Sequence, residues 1–195
     1  MTTDATPTSP LDDALRFDVV DLVGRTGTHR SVERTVPAPA REAGGLAMQV
    51  AEGDDIAVEI ELESVVEGIY VHGTVTAELE GECSRCLDPV EQDVSPRVDE
   101  LFLYPEKVKA AEREDSVLLE DDEVRLGTLV RDALAMEADE RPLCREDCPG
   151  LCAQCGFRME DDPDHHHEVI DERFAALKGL FDEDPKDDDA QDGKA

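Results

Sequence analysis

The sequence predicts an α+β protein: a curled antiparallel β-sheet or small barrel, one or two helices, and a small zinc-binding cysteine arm. Three observations carry this. Ile56, Val58, Ile60 and Leu62, and then Ile69, Val71, Gly73, Val75, Ala77 and Leu79, stand at every second position, the period of half-buried strands. Leu126, Leu129, Val130, Ala133 and Leu134 fall at i, i+3 and i+4 spacing, one apolar face of a helix. All 6 cysteines sit in two short segments.

Taken in chain order, residues 1–10 are polar and proline-spaced and read as a disordered leader. A β-rich core domain is expected over 11–142. Leu15 to Val23 is its first apolar stretch, and a turn-rich segment from Gly24 to Gly27 leads to an extended run that ends at Val36-Pro-Ala-Pro39. The two alternating strands are separated by Glu67-Gly68, which reads as a hairpin turn. A third extended run goes from Val90 through Val94 and Val98 to Leu101 and Leu103. These three strands form a meander with one wet face, and curling into a small barrel is a natural way to close it. The stretch 107–123 is too charged to bury and is expected to be a mobile loop. Glu120, Asp121, Asp122 and Glu123 precede a helix expected at about 124–139, where acids suit the positive end of its dipole. Arg141-Pro142 stops that helix. The cysteine arm is expected over 143–181. It includes a second helix over 171–181, with Asp171 as N-cap and Phe174, Leu177 and Phe181 on one side. An acidic disordered tail is expected over 182–195.

The charge narrows the function classes. Of 195 residues, 35% are charged and the formal net charge is -31. Direct binding to RNA is then weak or indirect, and no DNA partner is expected, because phosphate contacts draw on Lys and Arg. A basic protein is the partner such a surface attracts. The blander reading is that the acids reflect only the composition of the proteome. Near Met1 there is neither a basic region nor an apolar one, and no run reaches the roughly 18 apolar residues a membrane span needs. A cytoplasmic location with no membrane partner follows as the expectation. In that reducing compartment, paired cysteines are more often metal ligands or redox centres than disulfides.

Cys83-Ser-Arg-Cys86 closes the second strand, and Cys144, Cys148, Cys152 and Cys155 follow the first helix. In a Cys-x-x-Cys turn two thiolates bind one ion while backbone amides point at the sulfurs, and Gly156 supplies the positive φ such a knuckle uses. Two groupings compete, with about one structural Zn2+ per chain expected from either. The local one joins Cys144, Cys148, Cys152 and Cys155 and is favoured because a short loop loses less entropy. The other brings Cys83 and Cys86 to the arm and staples sheet to arm. Mixed sets remain, including one that recruits a histidine from His165, His166 and His167. Those three histidines otherwise read either as ligands for a second ion or, favoured because adjacent residues rarely all face one centre, as a solvated loop. Arg85 either balances thiolate charge, touches a phosphate, or is a plain surface arginine. Cys83 and Cys86 also admit a thioredoxin-like redox reading, although a strand-turn-strand setting is not its βαβ context, and a reading as plain buried thiols. Phosphate loops, nucleophile elbows and His-Glu-x-x-His are absent, and a four-thiolate zinc has no open coordination position.

Leu15-Arg-Phe-Asp-Val, Cys83-Ser-Arg-Cys-Leu-Asp-Pro89 and Pro142-Leu-Cys-Arg-Glu-Asp-Cys-Pro-Gly-Leu-Cys-Ala-Gln-Cys-Gly156 resemble the YceD-like proteins of bacteria and plastids. Asp171-Glu-Arg-Phe-Ala-Ala-Leu-Lys-Gly-Leu180 is similar to that family's final helix. The resemblance implies a non-enzymatic role in synthesis, processing or stability of 23S rRNA, with a ribosomal protein or pre-50S particle as partner. It departs at Phe157 to His167, where family members often carry an Asn-containing turn and a further Cys-x-Cys, so a second metal site is expected only if the histidines replace the missing thiols. The alternative is a thiol redox or metal-handling protein using Cys83 and Cys86. An RNA-processing enzyme is disfavoured by charge and by the missing motifs.

Overall fold

The computed structural model describes residues 9–40, 44–45, 47–110, 113 and 116–167. The expected acidic tail and second helix lie outside these residues, as does most of the leader, although Ser9 and Pro10 open a helix.

Strand β5 (Gly68–Glu82), 15 residues long, is the one on which the sheet is laid. Strand β4 (Asp55–Ser64) pairs with its first half, in antiparallel register from Ser64↔Ile69 to Ala57↔Thr76. Strand β2 (His29–Pro37) lies outside β4. Strands β6 (Pro89–Val94) and β7 (Arg97–Leu103) share the opposite edge of β5 and are separated only at Ser95-Pro96. Gly81 pairs with Val90 on that edge and, on the other, with Met48 of the two-residue β3 (Met48–Gln49). The expected meander is therefore β4, β5 and the β6/β7 run.

The sheet is neither curled nor closed, contrary to the barrel expectation: β2 does not pair with β7. The reason is how its apolar face is covered. Ile56, Val58, Leu62, Val71 and Val75 pack with Leu11, Leu15, Phe17, Leu126, Val130 and Leu134 in one core. A second layer thus does what closure would otherwise do. That layer holds α1 (Pro10–Ala14), β1 (Arg16–Asp18), β8 (Glu123–Arg125) and α2 (Gly127–Glu137). Arg34 of β2 ties the layers together, donating to the Ala14 and Arg16 carbonyls and lying 4.2 Å from the Phe17 ring centre.

Two further expectations are corrected here. The helix expected at about 124–139 is preceded by strand, because residues 123–125 pair with β1. Its front end is not served by the neighbouring acids. Asp121 and Asp122 take positive φ (53° and 55°) in a tight turn closed by Glu123 N–H donating to the Glu120 carbonyl. The acid at the helix start is Asp12, which accepts from the Thr128 amide at 3.1 Å. The charged stretch 107–123 is also not all loop. Leu119 is buried, and Leu103 exchanges backbone hydrogen bonds with Val117 and Leu119.

Gly73 sits in β5 where a Cβ would fall 2.1 Å from the Glu59 carbonyl of β4. Replacing Gly73 by Ala should lower stability by about 2 kcal/mol or more, since backbone meets backbone and cannot give way cheaply. Ser64 is fully buried and its hydroxyl has no hydrogen-bond partner among the described residues, so Ser64→Ala should be neutral or stabilising. Denaturant unfolding of both variants checks this.

Glu78 stands opposite Asp93, and Glu80 opposite Glu91. Glu91 foremost, with Asp93, Glu80 and Asp54, raises the Glu78 carboxyl above its ordinary value. A raised carboxyl binds protons more readily folded than unfolded, so stability should rise as pH falls from neutral through that value. Glu78→Gln should reduce this slope, measured by thermal melts from pH 7 to 5.

Candidate metal centre

The last residue of β5 leads straight into Cys83. The chain then turns through Ser84 and Arg85 to Cys86 and returns as β6. Two backbone bonds fix the turn: Leu87 N–H to the Cys83 carbonyl (2.9 Å) and Cys83 N–H to the Asp88 carbonyl (2.7 Å). Leu87 takes φ 63° to make this possible.

The arm is strapped onto that knuckle by bonds to main-chain carbonyls, from both amide and side-chain donors. Ser84 donates from both N–H (2.8 Å) and hydroxyl (3.0 Å) to the Pro142 carbonyl, which brings Cys144 alongside. Arg85 donates to the Cys148 carbonyl at 2.8 Å, and Leu151 N–H donates to the Arg85 carbonyl at 2.9 Å. Gly150 permits this approach, with φ 78° and a would-be Cβ 2.9 Å from the Arg85 oxygen. Arg85 is thus a strap. It remains exposed, as the surface reading has it. Farther out, Arg158 grips Asp88 through both nitrogens, at 2.9 and 2.5 Å, and holds its carboxyl below the usual range. Nothing in the spacing of the sequence marked this pair.

These straps bring Cys83, Cys86, Cys144 and Cys148 together, with all four sulfurs within 4.8 Å of one another. Cys83 and Cys148 sulfurs are 3.8 Å apart, and Cys86 and Cys144 sulfurs 3.6 Å. A tetrahedron with metal–sulfur bonds of about 2.3 Å has edges of about 3.8 Å, so the donor set fits a structural metal such as zinc. Cys83, Cys86 and Cys148 are buried and Cys144 is at the rim. Backbone amides shape the electrostatics. The Cys144 amide above all, with those of Cys86 and Arg85, pulls Cys83 down to about 6 against the effect of burial. At Cys86 the Asp88 amide pulls down, but burial and the thiols of Cys83, Cys144 and Cys148 together push it up. A divalent cation would allow all four to ionise.

The favoured local grouping is not the one the fold assembles. Loop entropy favours neighbouring cysteines in a free chain, but the fold has already placed the arm against Ser84 and Arg85. Cys144 and Cys148 therefore meet the strand-end pair. Cys152 and Cys155 belong to a knuckle of their own, beside His165 and His167. The solvated-loop reading did not bring these histidines to the cysteines, and the reading as ligands for a second ion did not say which thiols they would meet. Positions i and i+2 share a side in extended chain, and that was the available signal. His166 turns away to the Asp164 carbonyl.

Two Cys-x-x-Cys knuckles at the end of an open antiparallel sheet define a β-sheet protein with a metal-compatible thiol staple. The chain belongs to the YceD family: the family model described as large ribosomal RNA subunit accumulation protein YceD matches residues 71–181, a range that takes in most of β5, the helix α2 and all six cysteines. Uncharacterised proteins of Mycobacterium bovis and Mycobacterium tuberculosis are 38% identical over 165 residues, 84% of this chain and 79% of theirs. One from Mycobacterium leprae is 39% identical over 168 residues, 85% of this chain and 76% of its own. No solved structure matches. Membership implies a role in accumulation of large-subunit ribosomal RNA.

Cys83→Ser, which the local grouping would tolerate, should cost one equivalent of bound zinc and several kcal/mol of stability, structural thiolate zinc contributing about 10 kcal/mol in small sites. Elemental analysis and denaturant unfolding under reducing conditions read both, and full zinc retention would restore the local grouping.

Proposed function

We propose that the protein is a non-enzymatic assembly factor that supports synthesis, processing or stability of 23S rRNA by holding a basic protein of the pre-50S particle. The observation that carries the partner chemistry is a groove of about 510 Å³ between β7 and α2. Phe102, Val117 and Leu129 form its apolar lining, and Asp12, Glu100, Glu120 and Asp132 stand around it. Arg125 also lines it, paired with Glu123 at 3.5 Å. Apolar surface ringed by carboxylates suits a segment that alternates Lys or Arg with apolar residues, as basic RNA-binding proteins present when they are off their RNA. The net charge of -31 favours the same partner and disfavours naked RNA. The family match points to no enzymatic family.

The alternative, thiol redox or metal handling through Cys83 and Cys86, needs an accessible low-pKa thiolate. Both residues are buried, at 0% and 8% exposure, which supports a holding role for their sulfurs. Among the described residues no helix is long and apolar enough to cross a membrane.

Deleting the gene should lower 23S relative to 16S rRNA. A pull-down should recover a basic ribosomal protein at low salt, with recovery falling as salt screens the attraction. Reversing Glu100 and Glu120 together to Lys should weaken that binding by about tenfold, or about 1.4 kcal/mol. Unchanged rRNA ratios, or salt-resistant binding of the pure protein to 23S fragments, would overturn the proposal, and fast selective alkylation of Cys83 would favour the redox reading.

A further inference from the structure

We infer that Cys152, Cys155, His165 and His167 form a second zinc-class site, separate from the four-cysteine cluster and independent of the partner proposed above. Three observations lead there.

The first is that the two knuckles share one backbone design. In the first, Leu87 N–H donates to the Cys83 carbonyl at 2.9 Å and Cys83 N–H to the Asp88 carbonyl at 2.7 Å. In the second, Gly156 N–H donates to the Cys152 carbonyl at 2.8 Å and Cys152 N–H to the Phe157 carbonyl at 2.7 Å. Both place a positive-φ residue just after the second cysteine, Leu87 at 63° and Gly156 at 73°. Both also aim amides at the first sulfur: those of Arg85 and Cys86 at Cys83, and those of Gln154 and Cys155 at Cys152. A leucine held in a left-handed conformation shows that the first knuckle needs this shape, and the second repeats it.

The second observation is the arrangement of the donors. Cys155 sulfur lies 3.2 Å from His165 Nε2 and 3.1 Å from His167 Nε2, while the two Nε2 atoms are 3.0 Å apart. Hydrogen bonding does not account for such a triangle. An imidazole Nε2 has one in-plane direction for its hydrogen or lone pair, and here each has two partners on different sides of the triangle. One face of a coordination tetrahedron does account for it. Zinc bonds of about 2.3 Å to sulfur and 2.0–2.1 Å to nitrogen give edges of roughly 3.3–3.6 Å, a few tenths of an ångström wider than these.

The third observation is the support around the histidines. Phe157 stacks on His165 with ring centres 4.5 Å apart and 27° between planes. His166 contacts the Asp164 carbonyl at 2.8 Å and points elsewhere, so the pair used is His-x-His. The ligands are half-buried to exposed, so the site should exchange its metal faster than the buried cluster. Two thiolates and two imidazoles neutralise one Zn2+ and leave no open position, which makes it a structural clasp on the loop 152–167.

Full-length protein purified with its metal and kept reduced should carry two zinc ions per chain. His165→Ala/His167→Ala should carry one and keep the sheet's thermal transition, whereas His166→Ala should keep both. Cys83→Ser refilled with Co2+ should show the spectrum of a mixed sulfur and nitrogen tetrahedron, and the histidine double variant that of a four-thiolate site. One zinc in the unaltered protein, two in the histidine double variant, or one in His166→Ala would each overturn the assignment.

Discussion

The structure depends on the hydrogen bonding of β5 along both of its edges. With β4 and β3 on one side and β7 and β6 on the other, the strand is fixed from Gly68 to Glu82. Cys83 follows with no intervening residue, so its sulfur is as well positioned as the sheet itself. A metal-compatible cluster built on a loop end would have to order that loop first. Here the sheet has already done so, and the arm needs only to dock.

Docking joins main-chain carbonyls to main-chain and side-chain donors. Pro142, Cys148 and Arg85 carbonyls all accept bonds that join arm to knuckle. The two amide bonds constrain the path of the chain, Ser84 Oγ and the Arg85 guanidinium reinforce it, and the cysteines specify the chemistry. The Arg158–Asp88 pair adds an outer clasp, though both partners are exposed and an exposed pair contributes little by itself.

The same fold has to tolerate its own charge. Carboxylates face one another across β5 and β6 at Glu78↔Asp93 and Glu80↔Glu91, pairings that oppose sheet formation. The buried face compensates: Ile56, Leu62, Ile69, Val71, Val75 and Leu79 are all nearly inaccessible, and alternation keeps them on the side away from the acids. A cationic partner of the kind proposed above would relieve the repulsion that the isolated sheet bears.

Features that depend on short-range periodicity and on composition were legible in the sequence. Alternation at Ile56 to Leu62 and Ile69 to Leu79 gave the central strands, and the run from Val90 to Leu103 gave β6 and β7. The stripe from Leu126 to Leu134 gave the body of α2, and the Cys-x-x-Cys-Gly pattern gave a knuckle with its positive-φ glycine. The cysteine segments were specific enough to carry the family. Only the tertiary structure decided what depends on contacts distant along the chain. Whether the sheet closed turned on α1, α2 and the β1–β8 pair covering its apolar face. Which acid met the start of α2 turned on Asp12 arriving from the other end of the core. Which cysteines met turned on Pro142 reaching Ser84. Loop entropy ranks pairings in a flexible chain, but here the sheet and helix had already brought distant segments together, and in a folded chain proximity is set by the fold.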